Sequence, residues 1–525
     1  MTTKTRTQNA LYNSASSLVL FPLKLLVQFV NRSLFIKLLG IYYLGLNGIF
    51  SNILGMLSVA ELGLGASIVF ALYKPIAENN NGKIIAYMNL YSKAYRFIAL
   101  IIFGLGLIVS HFLPVILQVS QLSFEETVIY ILFLINSVIG YLLFSYKRSL
   151  LNAHQENYIV LWLDFGLYVV TTICQWVIMW WTHQYILVLI LTICSTILSN
   201  LLVAFVTNKR HPLKDIVPEL ITQEEKALLK KNVLGNIIGN IATVIVFSTD
   251  NILISSFISV TTVGIYSNYT LITNAFNLLL SQIMVSQSAS VGNLVHTTNS
   301  AKVYEVYKRY QFVNFISSYL VSLLIFILIN PFIVLWIGQD YLLSTQIVLL
   351  LSIYIFLQTY RYSGFILYNA YGLYWESRHK PIVEAVLNLV ISLLFLVVFK
   401  WGISGILLGT ICSNVLTNSW FEPYIIFKYG LKRSMKEYIW INILQWIVYF
   451  VTLFGLYFLA PQKWFASNLM GWIQMAIVIG SSLVLLLLIV FRKDVALKWW
   501  IDFVRKRFEK IFRKILKMFI FLNIS

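Results

Sequence analysis

The sequence predicts an all-α membrane protein with about 14 transmembrane helices. Two observations lead to this prediction, which are the composition of the chain and the pattern of its apolar runs. Of its 525 residues, 59% are hydrophobic and 11% are charged, and the mean hydropathy is +0.80. A soluble domain carries about 25% charged residues, so most of this surface must face lipid. The apolar runs are continuous, whereas the strands of a membrane barrel alternate apolar and polar residues. We therefore expect helices, which satisfy their own backbone hydrogen bonds in lipid.

About fourteen apolar runs are long enough to cross a bilayer. In chain order they are 11–40, 46–73, 87–117, 127–146, 158–181, 186–206, 233–257, 264–294, 312–336, 345–371, 382–399, 402–427, 438–459 and 468–491. The first run follows a polar, mildly basic segment and carries no small-residue cleavage pattern. We therefore interpret it as a retained helix rather than a signal peptide.

The positions of the basic residues predict the orientation of these runs. If the N-terminus is cytoplasmic, most of the 39 lysines and arginines fall in cytoplasmic segments. The exceptions are Arg32, Lys37, Lys400 and Lys463 on the outer side, with Lys24 and Arg361 inside runs. Because basic residues concentrate on the cytoplasmic side, this pattern predicts an even number of spans and two cytoplasmic termini. The cytoplasmic basic residues, which account for the net charge of +19, then lie next to the anionic surface of the lipid bilayer. Because the membrane explains this charge, we expect no nucleic-acid partner.

An internal repeat relates two parts of the chain at an offset of 217 to 219 residues. The matching segments are 32–36 with 250–254, 45–48 with 264–267, 152–153 with 369–370, and 192–195 with 410–413. The repeat contains an even number of runs, so the two halves must have the same orientation in the membrane. Parallel halves of this kind are typical of transporters, in which the substrate site lies between the halves and access alternates.

The repeat and the hydropathy together predict five regions. They are an N-terminal six-helix lobe at 1–207, a cytoplasmic linker at 208–232, a C-terminal six-helix lobe at 233–430, two additional transmembrane helices at 431–492, and a tail at 493–525. The tail combines apolar residues at helical spacing with many lysines and arginines, which predicts a basic amphipathic helix at the cytoplasmic interface.

Ionisable residues inside apolar runs are the candidate site, because charges in a bilayer usually face a cavity or a partner. Arg32 and Asp250 hold equivalent positions in the repeat, and we expect both to face a shared cleft. Arg361 lies in an otherwise apolar run, and a guanidinium can bind a phosphate or carboxylate with two hydrogen bonds. We predict that Arg32 and Arg361 contact the substrate and that Asp250 balances charge or couples an ion. The alternative is that these residues form ion pairs that hold helices together.

Four other acidic groups and one lysine complete the set of intramembrane charges. Glu61 precedes a run of small residues that allows close helix packing, so it is either a coupling-ion ligand or a packed carboxyl. Lys24 either lines the cleft with the substrate-binding residues or extends its amine to the interface. Asp164, Glu384 and Glu422 lie near the ends of their runs, and we expect them at the interface.

The sequence lacks the motifs of several enzyme classes. It contains no phosphate-binding loop of the ATPase type and no zinc-protease motif. The three cysteines, Cys174, Cys194 and Cys412, have no metal-ligand spacing. The outer loops are too short to form a catalytic domain. We therefore expect a protein that is not an enzyme and that has no cofactor and no metal.

Five segments resemble one family of membrane transporters. They are LGLNGIFSN at 44–52, ELGLGASI at 61–68, LYKPIA at 72–77, TDNILIS at 249–255 and VGIYSNY at 263–269. They resemble the polysaccharide repeat-unit flippases of the multidrug/oligosaccharidyl-lipid/polysaccharide exporter superfamily, and the resemblance extends over nearly the whole chain.

This resemblance implies a function. Such proteins flip an undecaprenyl-diphosphate-linked oligosaccharide from the cytoplasmic to the outer leaflet of the bacterial cytoplasmic membrane, for capsule or exopolysaccharide synthesis. They have two six-helix lobes around a central, often cationic cavity, and polymerases and glycosyltransferases of the same pathway are the expected partners. Two alternatives stay open, which are a cation-coupled multidrug antiporter of the same superfamily and a membrane polysaccharide polymerase.

Overall fold

The computed structural model describes residues 6–213, 216–285, 287–459, 468–502 and 505. Nearly all of these residues are helical, and no strand occurs among them, which confirms the predicted all-α class. The chain divides into two compact units, Met1–Asn268 and Tyr269–Ser525. Each predicted apolar run overlaps one helix or two consecutive helices. Nine helices in the described ranges are long and apolar enough to cross a membrane, so the count of fourteen spans stays a prediction.

The first unit consists of long helices joined by short loops. They are α1 (Arg6–Leu39), α2 (Ile41–Leu57), α3 (Val59–Ala77), α4 (Asn81–Ser110), α5 (Leu113–Leu117), α6 (Phe124–Leu142), α7 (Lys147–Ala153), α8 (Asn157–Thr182), α9 (Tyr185–Arg210), α10 (Gln223–Phe257) and the beginning of α11 (Val260–Val285). In this unit α8 packs against α1 and α9, α6 packs against α4 and α9, and α10 packs against α2 and α3.

Helix α10 begins ten residues before the apolar run that predicts it. The hydroxyl of Thr222 accepts a hydrogen bond from the backbone of Glu225, whose carboxylate accepts one from the backbone of Thr222. This reciprocal pair satisfies backbone donors that a helix start leaves free. The polar first turns of α10 are therefore a stable helix outside the apolar run.

The second unit continues from α11. It contains α12 (Ser288–Thr297), α13 (Ser300–Trp336), α14 (Thr345–Tyr360), α15 (Tyr362–Tyr371), α16 (Lys380–Leu393), α17 (Gly402–Ile425), α18 (Met435–Leu459) and α19 (Leu469–Val490). Short π-helical segments, Leu394–Val398 and Ile426–Leu431, extend α16 and α17. The predicted interfacial tail lies largely outside the described residues.

The two helices that follow the repeat belong to the second unit, where they pack on α13. A buried amide pair joins α13 to α18, since Gln311 donates to Asn442 at 3.1 Å. The indole of Trp472 on α19 donates to the backbone carbonyl of Leu328 at 3.1 Å. Because such bonds satisfy polar groups that lipid cannot, they fix both helices against the long helix α13.

Two pairs of equivalent positions in the repeat have similar local surroundings, by their place in the helix or by their hydrogen bonds. Arg32 lies seven residues before the end of α1, and Asp250 lies seven residues before the end of α10. Thr192 and Thr410 each accept an interhelical hydrogen bond of 2.9 Å from a side-chain amide, donated by Gln175 and Asn388 respectively. The offset found in the sequence therefore corresponds to a repeated local structure.

Candidate functional site

Arg32 is half-buried on α1 and has a neutral partner. Its guanidinium donates a hydrogen bond of 2.8 Å to the hydroxyl of Ser267 on α11. That hydroxyl donates in turn to the backbone carbonyl of Gly264 at 2.7 Å. Within the described ranges, no carboxylate forms an ion pair with Arg32. The guanidinium is thus oriented by α11 but keeps its full positive charge, which is the state expected of a group that binds an anion.

Asn31, the residue before Arg32, connects α1 to α8. The side-chain oxygen of Asn31 accepts a hydrogen bond of 2.9 Å from the indole of Trp176 on α8. This bond fixes the rotation of α1 against α8, because an indole N–H within a helix bundle has few alternative partners. It therefore also fixes the direction in which Arg32 projects.

Asp250 lies on α10, and one of its carboxyl oxygens, Oδ1, is buried without a hydrogen-bond partner among the described residues. Arg32 donates to Ser267 and not to Asp250, so the two equivalent residues do not form an ion pair with each other. A buried carboxyl oxygen without a partner costs free energy, which a proton or a bound cation would offset. The predicted role of Asp250 in charge balance or ion coupling stays a prediction.

Glu61 is held by a network of tyrosine hydroxyls, which we call the tyrosine cage and which consists of Glu61, Tyr91, Tyr95 and Tyr141. The two carboxylate oxygens accept hydrogen bonds from Tyr95 at 2.8 Å and from Tyr141 at 2.7 Å. The hydroxyl of Tyr91 donates to that of Tyr95 at 2.7 Å. The cage brings together α3, α4 and α6, and it gives the carboxylate two fixed neutral donors in place of a cation.

The small residues after Glu61 make room for this cage. A Cβ atom added at Gly65 on α3 would lie 3.2 Å from the hydroxyl of Tyr91 on α4. The contact is tighter than most packed pairs, so a larger residue at position 65 would displace Tyr91. The sequence indicated close packing here, and the structure identifies the group that packs.

Lys24 is exposed on α1, two helical turns before Arg32. Its ammonium lies 5.7 Å from the centre of the Tyr168 ring on α8, which is within the range of a cation–π contact. This places Lys24 on the surface of the first unit, where it contributes a positive charge. Its predicted role in substrate binding stays a prediction.

Arg361 lies at the junction of α14 and α15 and is paired with an acidic residue 61 positions later. Its guanidinium donates two hydrogen bonds to the carboxylate of Glu422 on α17, one of them from Nε at 3.0 Å. Lys380 donates to the same carboxylate at 2.7 Å and lies 3.3 Å from Glu384. We call these four residues the Arg361 cluster. They carry two positive and two negative charges, and their side chains expose between 10% and 22% of their surface.

This pairing changes the interpretation of two acidic residues. Glu384 and Glu422 were expected at the interface, but Glu422 is buried and both lie within the Arg361 cluster. The amide of Asn418 also donates to Glu384 at 2.5 Å. Sequence alone missed the pairing because the partners of Arg361 lie on two other helices. In this conformation the two guanidinium nitrogens of Arg361 that could bind a phosphate already donate hydrogen bonds to the carboxylate of Glu422.

Asp164 was also expected at the interface, and it too has a cationic partner. Arg148 on α7 donates to its carboxylate at 2.5 Å, and Ser199 on α9 donates to the other oxygen at 2.8 Å. The Asp164 side chain stays 42% exposed, so this pair is partly solvated and contributes little to stability.

Helix α10 is fastened to the other helices of the first unit at both of its ends. At its beginning, Lys83 of α4 forms an ion pair of 2.5 Å with Glu225. At its end, the hydroxyl of Ser255 donates to the carbonyl of Ile116 on α5 at 2.6 Å, and Gln118 donates to the carbonyl of Ser256 at 2.6 Å. The two sets of contacts lie at opposite ends of a 35-residue helix, about 50 Å apart along its axis.

Solved structures of transporters share this fold. An inward-facing MATE family transporter of the MOP superfamily matches with a TM-score of 0.60 and 14% identity, covering 83% of this chain and 96% of that chain. The lipid II flippase MurJ in its inward closed conformation matches with a TM-score of 0.61 and 16% identity, covering 92% and 99%. A mutant of the MATE transporter VcmN from Vibrio cholerae matches with a TM-score of 0.53 and 16% identity, covering 82% and 98%.

These matches establish the fold class. The chain has the fold of MOP-superfamily transporters and flippases, which confirms the resemblance seen in the sequence at the level of fold. No family's sequence profile matches the chain, and no curated protein matches it in sequence. Because one fold serves different substrates, the identity of the transported molecule rests on the site.

Proposed function

We propose that this chain is a flippase that moves undecaprenyl-diphosphate-linked oligosaccharide repeat units from the cytoplasmic to the outer leaflet by alternating access. Its place would be the bacterial cytoplasmic membrane, with both termini in the cytoplasm, and its product would enter cell-surface polysaccharide synthesis. The observation that carries the proposal is a MOP-superfamily fold in which a half-buried arginine, Arg32, forms no ion pair with any residue that the structure describes.

The extent of the structural matches favours a flippase over a multidrug antiporter. The MATE transporters cover 82% and 83% of this chain, whereas the lipid II flippase covers 92%. The sequence predicts two helices beyond the six-helix repeat, and α18 and α19 are packed parts of the second unit. We take the solved structure that covers more of this chain as the better guide to its function. The fold itself does not specify the substrate.

The charge on Arg32 suits a lipid diphosphate. A guanidinium binds phosphate oxygens through two parallel hydrogen bonds, and the neutral hydroxyl of Ser267 is a weaker partner that such oxygens would replace. Lys24, on the same helix, adds a second positive charge that attracts the substrate. Arg361 differs, because Glu422 occupies its guanidinium. We propose that it contacts substrate only in a conformation in which the Arg361 cluster opens.

The carboxyl groups are candidates for coupling transport to an ion gradient. Glu61 accepts hydrogen bonds from neutral hydroxyl groups, and one buried oxygen of Asp250 has no hydrogen-bond partner in the described part of the chain. Protonation or cation binding would change the charge at either site, and each site lies on a helix that packs within the α3–α10 contact. We propose that such a change releases one end of α10 at a time, which alternating access requires.

Reconstitution tests this proposal directly. The purified protein is placed in vesicles that contain a diphosphate-linked oligosaccharide lipid, and the fraction that reaches the outer leaflet is measured with an impermeant lectin. We expect equilibration in wild type and a rate about ten- to a hundredfold lower in Arg32→Ala, since a hydrogen bond to a charged group contributes about 1.5–3 kcal/mol. The exposed Arg96→Ala is the matched control and should flip lipid normally.

The same vesicles separate the alternatives. Export of cationic drugs without any movement of the lipid would contradict the flippase proposal and favour a cation-coupled multidrug antiporter. Lengthening of the oligosaccharide during the assay would favour a polymerase. In cells, we expect the protein to restore polymer export to a strain that lacks its own repeat-unit flippase, together with the polymerase and glycosyltransferases of that strain.

A further inference from the structure

A cavity with cationic walls opens where α17 ends and α18 begins, in the second unit. Its volume is about 420 Å³, and none of its residues belongs to the Arg361 cluster. It is lined by Tyr424, Phe427, Lys428, Lys432, Arg433, Ser434 and Met435. We call it the basic cavity. The charge distribution of the sequence predicts that this end of α17 faces the cytoplasm.

The charges of the basic cavity are only partly neutralised. Lys428 donates to the hydroxyl of Tyr424 at 2.6 Å, which is a neutral partner. Lys432 is exposed and forms no ion pair with any described residue. Arg433 pairs with Glu437 at 2.9 Å. Three cations therefore face one carboxylate, so the cavity attracts an anion.

The backbone that carries these cations forms a well-packed turn at the end of the helix. The π-helical segment ends at Leu431 and is followed by Lys432, whose φ of 54° is left-handed. The backbone N–H of Arg433 then donates to the carbonyl of Phe427 at 2.8 Å. Phe427 and Leu431 are 1% exposed and anchor the turn in the core. The guanidinium of Arg433 also lies 4.3 Å from the Tyr304 ring centre. The backbone of the turn and the Arg433 side chain are thus held in place before any ligand binds, which lowers the entropic cost of binding.

An apolar stripe continues from the basic cavity along α18. Ile439, Ile443 and Ile447 recur at helical spacing and are 45% to 52% exposed, and Trp440 is 77% exposed at the cavity end. In a membrane protein such a face lies against acyl chains, and tryptophan marks the level of the headgroups. A cavity next to such a tryptophan is where a lipid phosphate is expected, and the isoleucines offer an apolar surface for the lipid chains.

We propose that the basic cavity binds the phosphate-bearing headgroup of an anionic phospholipid, whose acyl chains lie along α18. Cationic pockets at the cytoplasmic ends of helices suit such headgroups, and the excess positive charge of the cavity attracts the negatively charged phosphodiester. A free phosphate would meet the same cations but would not contact the apolar stripe. The proposal does not depend on the transported substrate, because none of the residues assigned to substrate or ion coupling lines this cavity.

Thermal unfolding of the full-length protein in detergent tests the proposal. Phosphatidylglycerol, phosphatidylcholine and inorganic phosphate are added separately, and the midpoint is recorded for wild type and for Lys428→Gln/Lys432→Gln/Arg433→Gln. We expect phosphatidylglycerol alone to raise the midpoint of wild type, and we expect a much smaller rise in the variant. Each cation near a membrane surface contributes about fivefold to affinity, so the variant should bind about a hundredfold more weakly.

A matched control separates this site from the general attraction of a basic protein to anionic lipid. Lys74→Gln/Lys93→Gln/Arg96→Gln removes three exposed cations from the same predicted side of the membrane, and its response to phosphatidylglycerol should equal that of wild type. An equal rise in the cavity variant and wild type would overturn the proposal. A rise of the same size with inorganic phosphate would overturn the assignment to a lipid. If the cavity variant unfolds without added lipid, Lys432→Gln alone serves as the test.

Discussion

Gly45 of α2 lies so close to the backbone carbonyl of Val260 that a Cβ atom added at this glycine would overlap the carbonyl oxygen. The reciprocal contact also exists, because a Cβ at Gly264 of α11 would overlap the carbonyl oxygen of Ile41. Gly45 corresponds to Gly264, and Ile41 corresponds to Val260, at an offset of 219 residues, which falls within the offset of the sequence repeat. The beginnings of α2 and α11 therefore cross in a locally symmetric way that only glycine permits.

This crossing predicts the effect of a single methyl group. Gly45→Ala forces α2 and α11 apart or bends them, because the carbonyl of Val260 belongs to the backbone and cannot rotate away. Overpacking of this kind costs about 1–3 kcal/mol, so we expect a lower unfolding midpoint. The movement also disturbs Ser267, the partner of Arg32, and lipid flipping should slow. Thermal unfolding and the vesicle assay measure the two effects.

Gly166→Ala is the control for this substitution. Gly166 lies within α8, and a Cβ there has open space within 4 Å. Alanine is the better helix former by about 0.5–1 kcal/mol, so this variant should be as stable as wild type or more stable. If Gly45→Ala behaved in the same way, the crossing would not be tight in the protein.

The Arg361 cluster predicts a cost that depends on charge balance. Arg361→Met leaves two carboxylates and one ammonium in a buried site, and losing one partner of a buried ion pair costs about 3–5 kcal/mol. Arg361→Met/Glu422→Gln restores neutrality, and most of the lost stability should return. Unfolding midpoints of the two single variants and the double variant form a double-mutant cycle that measures the coupling.

Transport by the same variants separates two roles of Arg361. We expect Arg361→Ala to abolish polymer export while the protein still reaches the membrane. If Arg361 contacts the substrate, the neutral double variant stays inactive although it is stable. Normal export by the double variant would show that Arg361 only holds α15 and α17 together, and would remove it from the substrate-binding residues.

The sequence predicts the fold far better than it predicts the contacts of the charged residues. Continuous apolar runs require helices whatever their neighbours, and the repeat offset alone relates Arg32 to Asp250. By contrast, the partner of Arg361 depends on which helices pack together, and Glu422 lies 61 positions away. The break between α14 and α15 was also invisible within the apolar run 345–371. Hydropathy predicts which segments lie in lipid. Which charged residues form ion pairs depends on how each helix is rotated about its axis, and hydropathy does not contain this information.

The tyrosine cage predicts a functional loss that is separable from stability. Glu61→Gln keeps the size of the side chain and one acceptor oxygen but removes its charge. We expect a folded protein that no longer responds to an ion gradient in the vesicle assay. Glu78→Gln, at an exposed position close to the end of α3, is the control. A normal gradient response in Glu61→Gln would mean that this carboxyl serves packing alone.

A single hydroxyl of the cage is testable by stability. Tyr141→Phe removes one of the two donors to Glu61, and a hydrogen bond to a charged group contributes about 1.5–3 kcal/mol. The unfolding midpoint should fall in the wild-type background but much less in Glu61→Gln, where the acceptor is neutral. Equal decreases in both backgrounds would show that Tyr141 stabilises the protein through other contacts.

A histidine pair outside the predicted spans gives the stability a defined pH dependence. The rings of His154 and His211 stack at 3.8 Å between centres, and Nε2 of His211 lies 3.0 Å from the Glu156 carboxylate. Burial, followed by repulsion from His211, lowers the pKa of His154 to about 4. The hydrogen bond with His211 is the main cause that lowers the pKa of Glu156.

Both shifts destabilise the folded protein in acid. The pKa of His154 is lower in the folded than in the unfolded chain, so protonation favours unfolding. Its contribution is complete above the ordinary histidine pKa of about 6.5 and is lost as the pH falls toward 4. The carboxylate of Glu156 acts in the same direction, because its contribution is present above its ordinary pKa and is lost as the pH falls through the lowered value. Unfolding midpoints measured from about pH 7.5 down to about pH 5 should therefore decrease with acidification.

Removing one ring identifies the source of this dependence. His154→Gln cannot take up a proton at this position, so its midpoint should fall less between neutral and mildly acidic pH than that of wild type. The exposed His111→Gln should retain the full decrease. On unfolding, the wild type should take up at most about one more proton per chain than His154→Gln does. The slope of the free energy of unfolding against pH measures this difference. A decrease in His154→Gln as steep as in wild type would assign the acid sensitivity to other groups.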